Sequence, residues 1–418
     1  MLVHLASESR FLFFIPTLET GGAERVCLSY MNNLTRLRPV LAVQFRSGPL
    51  LTDLGAGVPV YETVQTYQMP RTKTPGRFGT LSAHAVGVPH AMLSHIPFLS
   101  KGLLLLKQAR YLARLAQECQ CPGVSSFMTM PNIIAILAKV LFARSLKVVI
   151  NVHDVTSRVL VHSRLKLHER VLLRWLVRVL YPRADLVVAV AVGIKVDLVR
   201  TFGIPADRVA VVHNPIDTQG ICARSSEPVD HPWLGAPAVP VVVAVGRLVK
   251  LKGFDLLIRA MAQLPSHLNA RLLIVGEGEE RSSLERLVME LGLAERVTLV
   301  GFEENPWKFM ARTDMFVLSS LTEGWPNVIG EAMALGLPIV ATDCSAGVRE
   351  FLEEGKLGLL VPPGDSKALA EGIMQVLQDE ALRTEFSRRA PKRVAQFDLP
   401  NVVRVYEDLL LGLLPEAE

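Results

Sequence analysis

Residues 323–342 read EGWPNVIGEAMALGLPIVAT. Two glutamates stand eight positions apart with a proline between them. Eight residues at about 100° each leave Glu323 and Glu331 about 80° apart around a helix, and Pro326 forbids one continuous helix through both. The stretch therefore divides into three pieces. Glu323, Gly324 and Trp325 form a loop, Pro326 is suited to be the first residue of a helix over PNVIGEAMAL, and Gly336 ends that helix in the left-handed region. Pro338 then leads into a strand, IVAT. The helix start between the two acids carries unpaired N–H groups and a partial positive charge, which suits a phosphate or a polyhydroxylated anion.

Working outward, the same rhythm fills the chain. Apolar runs FLFFI (11–15), VLAVQF (40–45), SSFMTM (125–130), KVVINV (147–152), LVVAVA (186–191) and RVAVVHN (208–214) alternate with helical patterns. A second series follows: VVVAVG (241–246), RLLIVG (271–276), RVTLVG (296–301), MFVLSS (315–320) and PIVAT (338–342). This is the pattern of parallel βαβ units and an α/β fold. The two series are separated by a proline-rich stretch holding Pro228, Pro232, Pro237 and Pro240. We expect two doubly wound parallel-sheet domains, 1–218 and 241–398, joined by a linker at 219–240. A C-terminal helix at 399–418 is expected to pack back toward the first domain. In open sheets of this kind ligands bind at the carboxyl ends of the strands.

A chain of 418 residues is too long for one ordinary core and suits two domains. Half of it is apolar, yet no run of 18 apolar residues appears, so a membrane span is not expected. The N-terminus reads as a first strand and not as a signal peptide, which points to a cytoplasmic protein. Cys27, Cys119, Cys121, Cys222 and Cys344 lack metal spacing and are read as reduced thiols. Charge is uneven: residues 1–220 hold 25 lysines and arginines against 12 acids, the remainder 20 against 28. A basic first half favours an anionic partner.

Candidate site residues cluster at strand ends. Strand VVVAVG runs into Arg247, Lys252 and Gly253 before the helical pattern FDLLIRAMAQL. Arg247 offers a planar fork and Lys252 a point charge, together suited to a diphosphate; a solvated basic turn is the plainer alternative. Gly21 and Gly22 follow FLFFI and open a helix, so backbone can approach a ligand closely there. His153 stands just past KVVINV, as a hydrogen-bonding group near a reacting centre or as a loop cap. Gly276-Glu277-Gly278 lacks the third glycine of a dinucleotide fingerprint. His84, His90 and His95 lack metal-ligand spacing. No D-x-D pair is present to hold a divalent ion, so neither metal nor cofactor is expected.

These motifs together, GGAE, NVHD, NPID, VGRLVKLKG, LLIVGEGEE and EGWPNVIGEAMALGLPIVATDCSAGVREFL with VPPGD, resemble the retaining, metal-independent glycosyltransferases of family 4, which have the GT-B fold. The resemblance spans residues 10–400 and is most specific between 240 and 365. It implies that 1–218 binds the acceptor and 241–398 the nucleotide-sugar. By resemblance Arg247 and Lys252 hold the donor diphosphate, with Gly21 and Gly22 lining it. Glu331 takes the ribose, Glu323 with Gly324, Pro326 and Asn327 the transferred sugar, and His153 lies against that sugar. His153, Glu323, Arg247 and Lys252 are then the catalytic set. Ala191 departs from the serine common in the family.

The implied reaction moves a hexose or N-acetylhexosamine from a UDP-sugar to a glycan or lipid-linked acceptor, by front-face attack. Nucleic acid is not an expected partner. A glycosidase is a rival reading of the paired glutamates, with carboxyls about 5–5.5 or 6.5–9.5 Å apart, but it leaves Arg247, Lys252 and Gly22 without a role. A UDP-sugar 2-epimerase of the same fold is a second rival. Finally, no acid occurs between Glu62 and Glu118, while Arg71, Lys73, Arg77 and Lys101 fall among apolar residues. Residues 65–100 are therefore expected to contact an anionic membrane surface, making the protein peripheral on the membrane.

Overall fold

Runs such as FLFFI, apolar at every position, are what a strand covered on both faces requires. In the computed structural model, which describes residues 9–19, 21–63, 98–162, 165–234 and 239–414, they form such strands. The first sheet contains β1 (Ser9–Ile15), β2 (Leu37–Val43), β3 (Val60–Glu62), β4 (Gly123–Phe127), β5 (Lys147–Val152), β6 (Leu186–Ala189) and β7 (Val209–Val211). Its order is β3-β2-β1-β4-β5-β6-β7, with every pairing parallel. Phe11 to Ile15 are fully buried in its centre.

The second sheet holds β8 (Val241–Val245), β9 (Arg271–Val275), β10 (Val297–Gly301), β11 (Met315–Leu318), β12 (Ile339–Thr342) and β13 (Leu359–Val361), in the order β10-β9-β8-β11-β12-β13. All its pairs are parallel too. In each sheet the strand order reverses beside the first strand, between β1 and β4 and between β8 and β11. Crevices at such reversals are where open α/β sheets bind ligands.

The described residues divide into two compact units, one of those up to 215 together with those from 400 onward, the other of those within 216–399. Residues 219–225, expected to begin a linker, instead continue a helix, Thr218–Ser225, that packs within the second unit on helices Trp307–Met310 and Asn327–Ala334. Asp217 caps it, its carboxylate accepting from the Gly220 N–H at 2.9 Å, so the first residues of the expected linker span are helical. Where the chain changes unit, Ile216 bridges Asp398: the Ile216 N–H donates to the Phe397 carbonyl at 2.8 Å and the Leu399 N–H to the Ile216 carbonyl at 3.0 Å.

Helix Leu399–Leu411 returns the chain to the first unit. Tyr406 stacks on Tyr30 with ring centroids 3.9 Å apart. The buried Glu407 carboxylate accepts from the backbone N–H groups of Thr35, Arg36 and Leu37 at 2.7–3.0 Å and from Arg36 Nε at 3.1 Å. Among the described residues no helix is long and apolar enough to cross a membrane. The basic segment, with Arg71, Lys73 and Arg77, lies outside the described residues except for its last three positions, and so do His84, His90 and His95.

Candidate active site

In the second unit the turns after β8 and β11 flank the reversal of strand order, and they are laced together. The Ser319 hydroxyl donates to the Lys252 carbonyl at 2.8 Å, and the Leu321 N–H to the Leu251 carbonyl at 2.8 Å. Gly253 sits at φ 60°, and a Cβ there would lie 2.3 Å from the Ser319 carbonyl oxygen, so the close approach needs glycine. This lacing brings Lys252 Nζ to 2.6 Å from Glu323 Oε1, which also accepts from the Ser320 hydroxyl at 2.6 Å. Among the described residues Glu323 Oε2 makes no hydrogen bond. Arg247 is exposed and, among the same residues, forms no ion pair. Leu248 beside it is fully buried and anchors the turn to the Glu277 carbonyl.

Helix Asn327–Ala334 begins one residue later than the sequence indicated, with Pro326 at its N-cap. Gly336 ends the turn at φ 69°. Gly324, Trp325 and Pro326 are buried. The Trp325 ring lies 3.9 Å from Phe351 and meets Phe397 edge-on, while a Cβ on Gly347 would come within 2.1 Å of the Gly324 carbonyl oxygen. The loop that carries Glu323 is thus clamped from below. Glu331, on the fifth residue of the helix, accepts from Trp307 Nε1 at 3.0 Å, and the Arg224 guanidinium lies 5.1 Å from the Trp307 ring. The two glutamates therefore have different anchors.

In the first unit, Gly21 caps helix Gly22–Asn33 at the end of the turn after β1. A Cβ on Gly22 would meet nothing within 4 Å, so the space beside it is open. A Cβ on Gly21 would collide with the Glu24 carboxylate, which is 3% exposed. This helix start, expected to face a diphosphate, already has a carboxylate folded back against it, in the manner of a capping glutamate. Gly22 leaves room; the dipole is partly answered by Glu24.

His153 follows β5, its ring stacked on Phe127 with centroids 5.7 Å apart. The residue is half-buried, but both ring nitrogens are closed off from solvent and have no hydrogen-bond partner among the described residues. Burial lowers its pKa to about 4, so the ring is neutral at physiological pH. The strand end that carries it is fixed by a buried polar network. Asn151 Nδ2 donates to Ser125 Oγ at 2.8 Å and to the Ser126 carbonyl at 3.0 Å, the Tyr406 hydroxyl donates to Asn151 Oδ1 at 3.1 Å, and Asn132 Nδ2 donates to the Asn151 carbonyl at 3.0 Å.

Sequence reasoning missed Trp307, Ser320, Asn132, Asn151 and Met128. Met128 directly follows β4 with φ 74°, which is uncommon for a side chain of its size and sits at the strand-order reversal. For Asn151 there was a signal, a polar residue inside the apolar run KVVINV. Trp307 had none, because its partner lies 24 positions away.

Comparison with known proteins agrees with this layout. The group 1 glycosyl transferase model matches residues 234–393, and the glycosyltransferase family 4 model matches residues 20–219. Over 402 residues the chain is 30% identical to the N-acetylgalactosamine-N,N'-diacetylbacillosaminyl-diphospho-undecaprenol 4-alpha-N-acetylgalactosaminyltransferase of Campylobacter jejuni, covering 96% of this chain and 98% of that one. It is 40% identical over 184 residues to the lipopolysaccharide core biosynthesis glycosyltransferase LpsE of Rhizobium meliloti, covering 44% of this chain and 53% of the relative. A crystal structure of Anabaena HepE in complex with UDP shares the fold, with TM-score 0.74 at 23% identity, covering 96% of this chain and all of that one. A relative that matches nearly the whole length of both chains, two family models that take one half each, and the two expected parallel sheets make the chain a member of the group 1, family 4 glycosyltransferases, an enzyme of the GT-B fold.

Proposed function

We propose that this glycosyltransferase moves a hexose or N-acetylhexosamine from a UDP-sugar to a lipid-linked glycan, with retention at the anomeric carbon and without a metal ion. The observation that carries the donor half of this reading is the Lys252–Glu323 pair, 2.6 Å apart at the strand-order reversal of the second sheet. An ammonium group has three donors, and one is engaged by Glu323. The others are available to diphosphate oxygens, as is the unpaired fork of Arg247. Glu323 Oε1 is already occupied, which leaves Oε2 to accept from a hydroxyl of the donor sugar. Glu331, oriented by the Trp307 indole, is suited to the two ribose hydroxyls. The start of helix Asn327–Ala334, whose N-cap Pro326 makes no side-chain cap, is suited with Gly324 and Asn327 to the transferred sugar. The Campylobacter relative is named for transfer to a diphospho-undecaprenol-linked acceptor, which supports the same acceptor class here.

In the proposed step the acceptor oxygen forms its bond to the anomeric carbon on the face from which the diphosphate departs. The bond to the phosphate oxygen breaks, and that oxygen takes the acceptor's proton. Charge develops on the leaving diphosphate, where Lys252 and Arg247 each stabilise the transition state by about 2.7–4 kcal/mol. A neutral His153 does not offset charge, and its closed-off ring nitrogens would have to be uncovered before either could hydrogen-bond a donor hydroxyl.

Thermal unfolding with UDP, GDP, ADP and a panel of nucleotide-sugars tests the donor: a UDP-sugar at a hundredfold its Kd stabilises by about 2.7 kcal/mol. Transfer to a synthetic lipid-linked glycan, followed by NMR of the product's anomeric proton, tests acceptor and stereochemistry. Activity should persist in EDTA. Stabilisation by ADP or GDP alone, an inverted product, or activity lost to chelation and restored by magnesium would each overturn the corresponding part.

A further inference from the structure

Helix Leu167–Leu180 carries two apolar stripes on opposite sides. Leu173, Val177 and Leu180 are buried and satisfy the core of the first unit. Leu167, Val171 and Trp175, each four residues from the next, lie on the other side at 76%, 61% and 56% exposure. A spacing of four turns only about 40° per step, so these three form one continuous stripe. Surface helices ordinarily have a single apolar stripe, facing the core. The second needs another reason.

The charges along the helix supply one. Arg174 and Arg178 are exposed beside the stripe and Lys166 is exposed at the helix N-cap, and among the described residues none of them forms an ion pair. The helix has one acid, Glu169, and its carboxylate is taken up in capping, accepting from the Lys166 N–H at 3.1 Å. An apolar stripe ending in tryptophan and edged by unpaired cations is the composition of a helix that lies in a bilayer interface, with the ring at headgroup level and the cations on anionic lipid. A second copy of the chain fits poorly, since symmetric pairing of this face would set cations against cations.

We infer that the exposed face of helix Leu167–Leu180 docks the enzyme on an anionic bilayer surface. The inference rests on the lipid-linked acceptor reading for its purpose, but not for its evidence. The chain has four tryptophans, and Trp233, Trp307 and Trp325 all belong to the second unit, so Trp175 reports on this face alone.

The test uses the full chain with vesicles of phosphatidylcholine, with and without phosphatidylglycerol, and with brominated phosphatidylcholine as quencher. Fluorescence should be quenched on vesicles containing phosphatidylglycerol, and Trp175→Phe should abolish the quenching. Arg174→Gln with Arg178→Gln should weaken vesicle partitioning on the order of thirtyfold, and Trp175→Ser about tenfold or more. UDP stabilisation should be unchanged in all variants. Wild-type-like sedimentation of these variants, or no quenching of Trp175, overturns the docking face. A lipid-free dimer that Trp175→Ser dissociates overturns it in favour of self-association. If UDP fails to stabilise the chain while Trp175 is quenched, the donor reading falls and the docking face stands.

Discussion

Lys252 and Glu323 constrain one another through a single short ion pair. The ammonium is 25% exposed and the carboxylate 12%, so the pair is screened only in part and each group holds the other in place. Lys252→Ala should cut turnover by about 10²–10³-fold, with the unfolding temperature little changed. Glu323→Gln, which keeps the shape and removes the charge, should lower kcat and alter which sugar is accepted. Steady-state kinetics on a sugar panel checks both, and near-normal turnover in Lys252→Ala would remove the diphosphate role. His153 gives a pH prediction. Its folded pKa of about 4 lies below the ordinary 6.5, so the unfolded chain binds this proton more readily. The associated stability is therefore intact above pH 6.5 and declines as pH falls toward 4, by about 3 kcal/mol at most. Imidazole 15N NMR should find His153 neutral down to pH 5, and His153→Asn should flatten the acid slope of stability. A His153 signal titrating near 6.5 would contradict its closed surroundings.

At the scale of the element, two strand-to-helix turns use glycine for opposite reasons. Gly253 is fixed by its own protein: φ is 60° and the Ser319 carbonyl occupies the space of a Cβ. Gly253→Ala should cost about 1–3 kcal/mol and loosen the turn that holds Lys252, weakening UDP binding as well. Gly22 has open space beside it, so Gly22→Ala should fold as well as the wild type. If that space admits donor, the variant loses nucleotide-sugar affinity without losing stability. Urea unfolding paired with calorimetric UDP-sugar titration separates the cases. A stable Gly253→Ala with normal affinity would show that the lacing to Ser319 is dispensable.

For the molecule as a whole, the chain order and the spatial order differ. The last helix follows the second unit in sequence and belongs to the first, where Glu407 holds three successive backbone N–H groups. Burial alone would raise the pKa of this carboxyl, but hydrogen bonds from the Arg36 backbone and side chain, Leu37 and Thr35 outweigh it and hold the pKa below the ordinary value. Its stabilisation is present above about pH 4.5 and is lost as pH falls through the lowered pKa. Glu407→Gln sets an amide against donors and should destabilise the first unit by about 2–4 kcal/mol, with a smaller acid response than the wild type. Chemical denaturation at pH 7 and pH 4 checks this, and an unchanged midpoint at pH 7 would mean the clip carries little stability.

Local pattern determined much of this protein. The strand runs, the division of EGWPNVIGE into loop and helix, and the kinship carried by that stretch were readable because burial on both faces and helix punctuation act between near neighbours. Of the three-residue edge strands, β7 was read from the longer run RVAVVHN, whereas β3 and β13 were not, since neither VYE nor LLV carries a period of its own. Nor was any sign of the Trp307 contact to Glu331, the network joining Tyr406 to Ser125 and Asn151, or the Glu407 clip, whose partners lie up to 372 positions apart. Such polar contacts are decided by what folding brings together, because a buried donor accepts whatever acceptor the tertiary structure supplies, and no local periodicity encodes that choice.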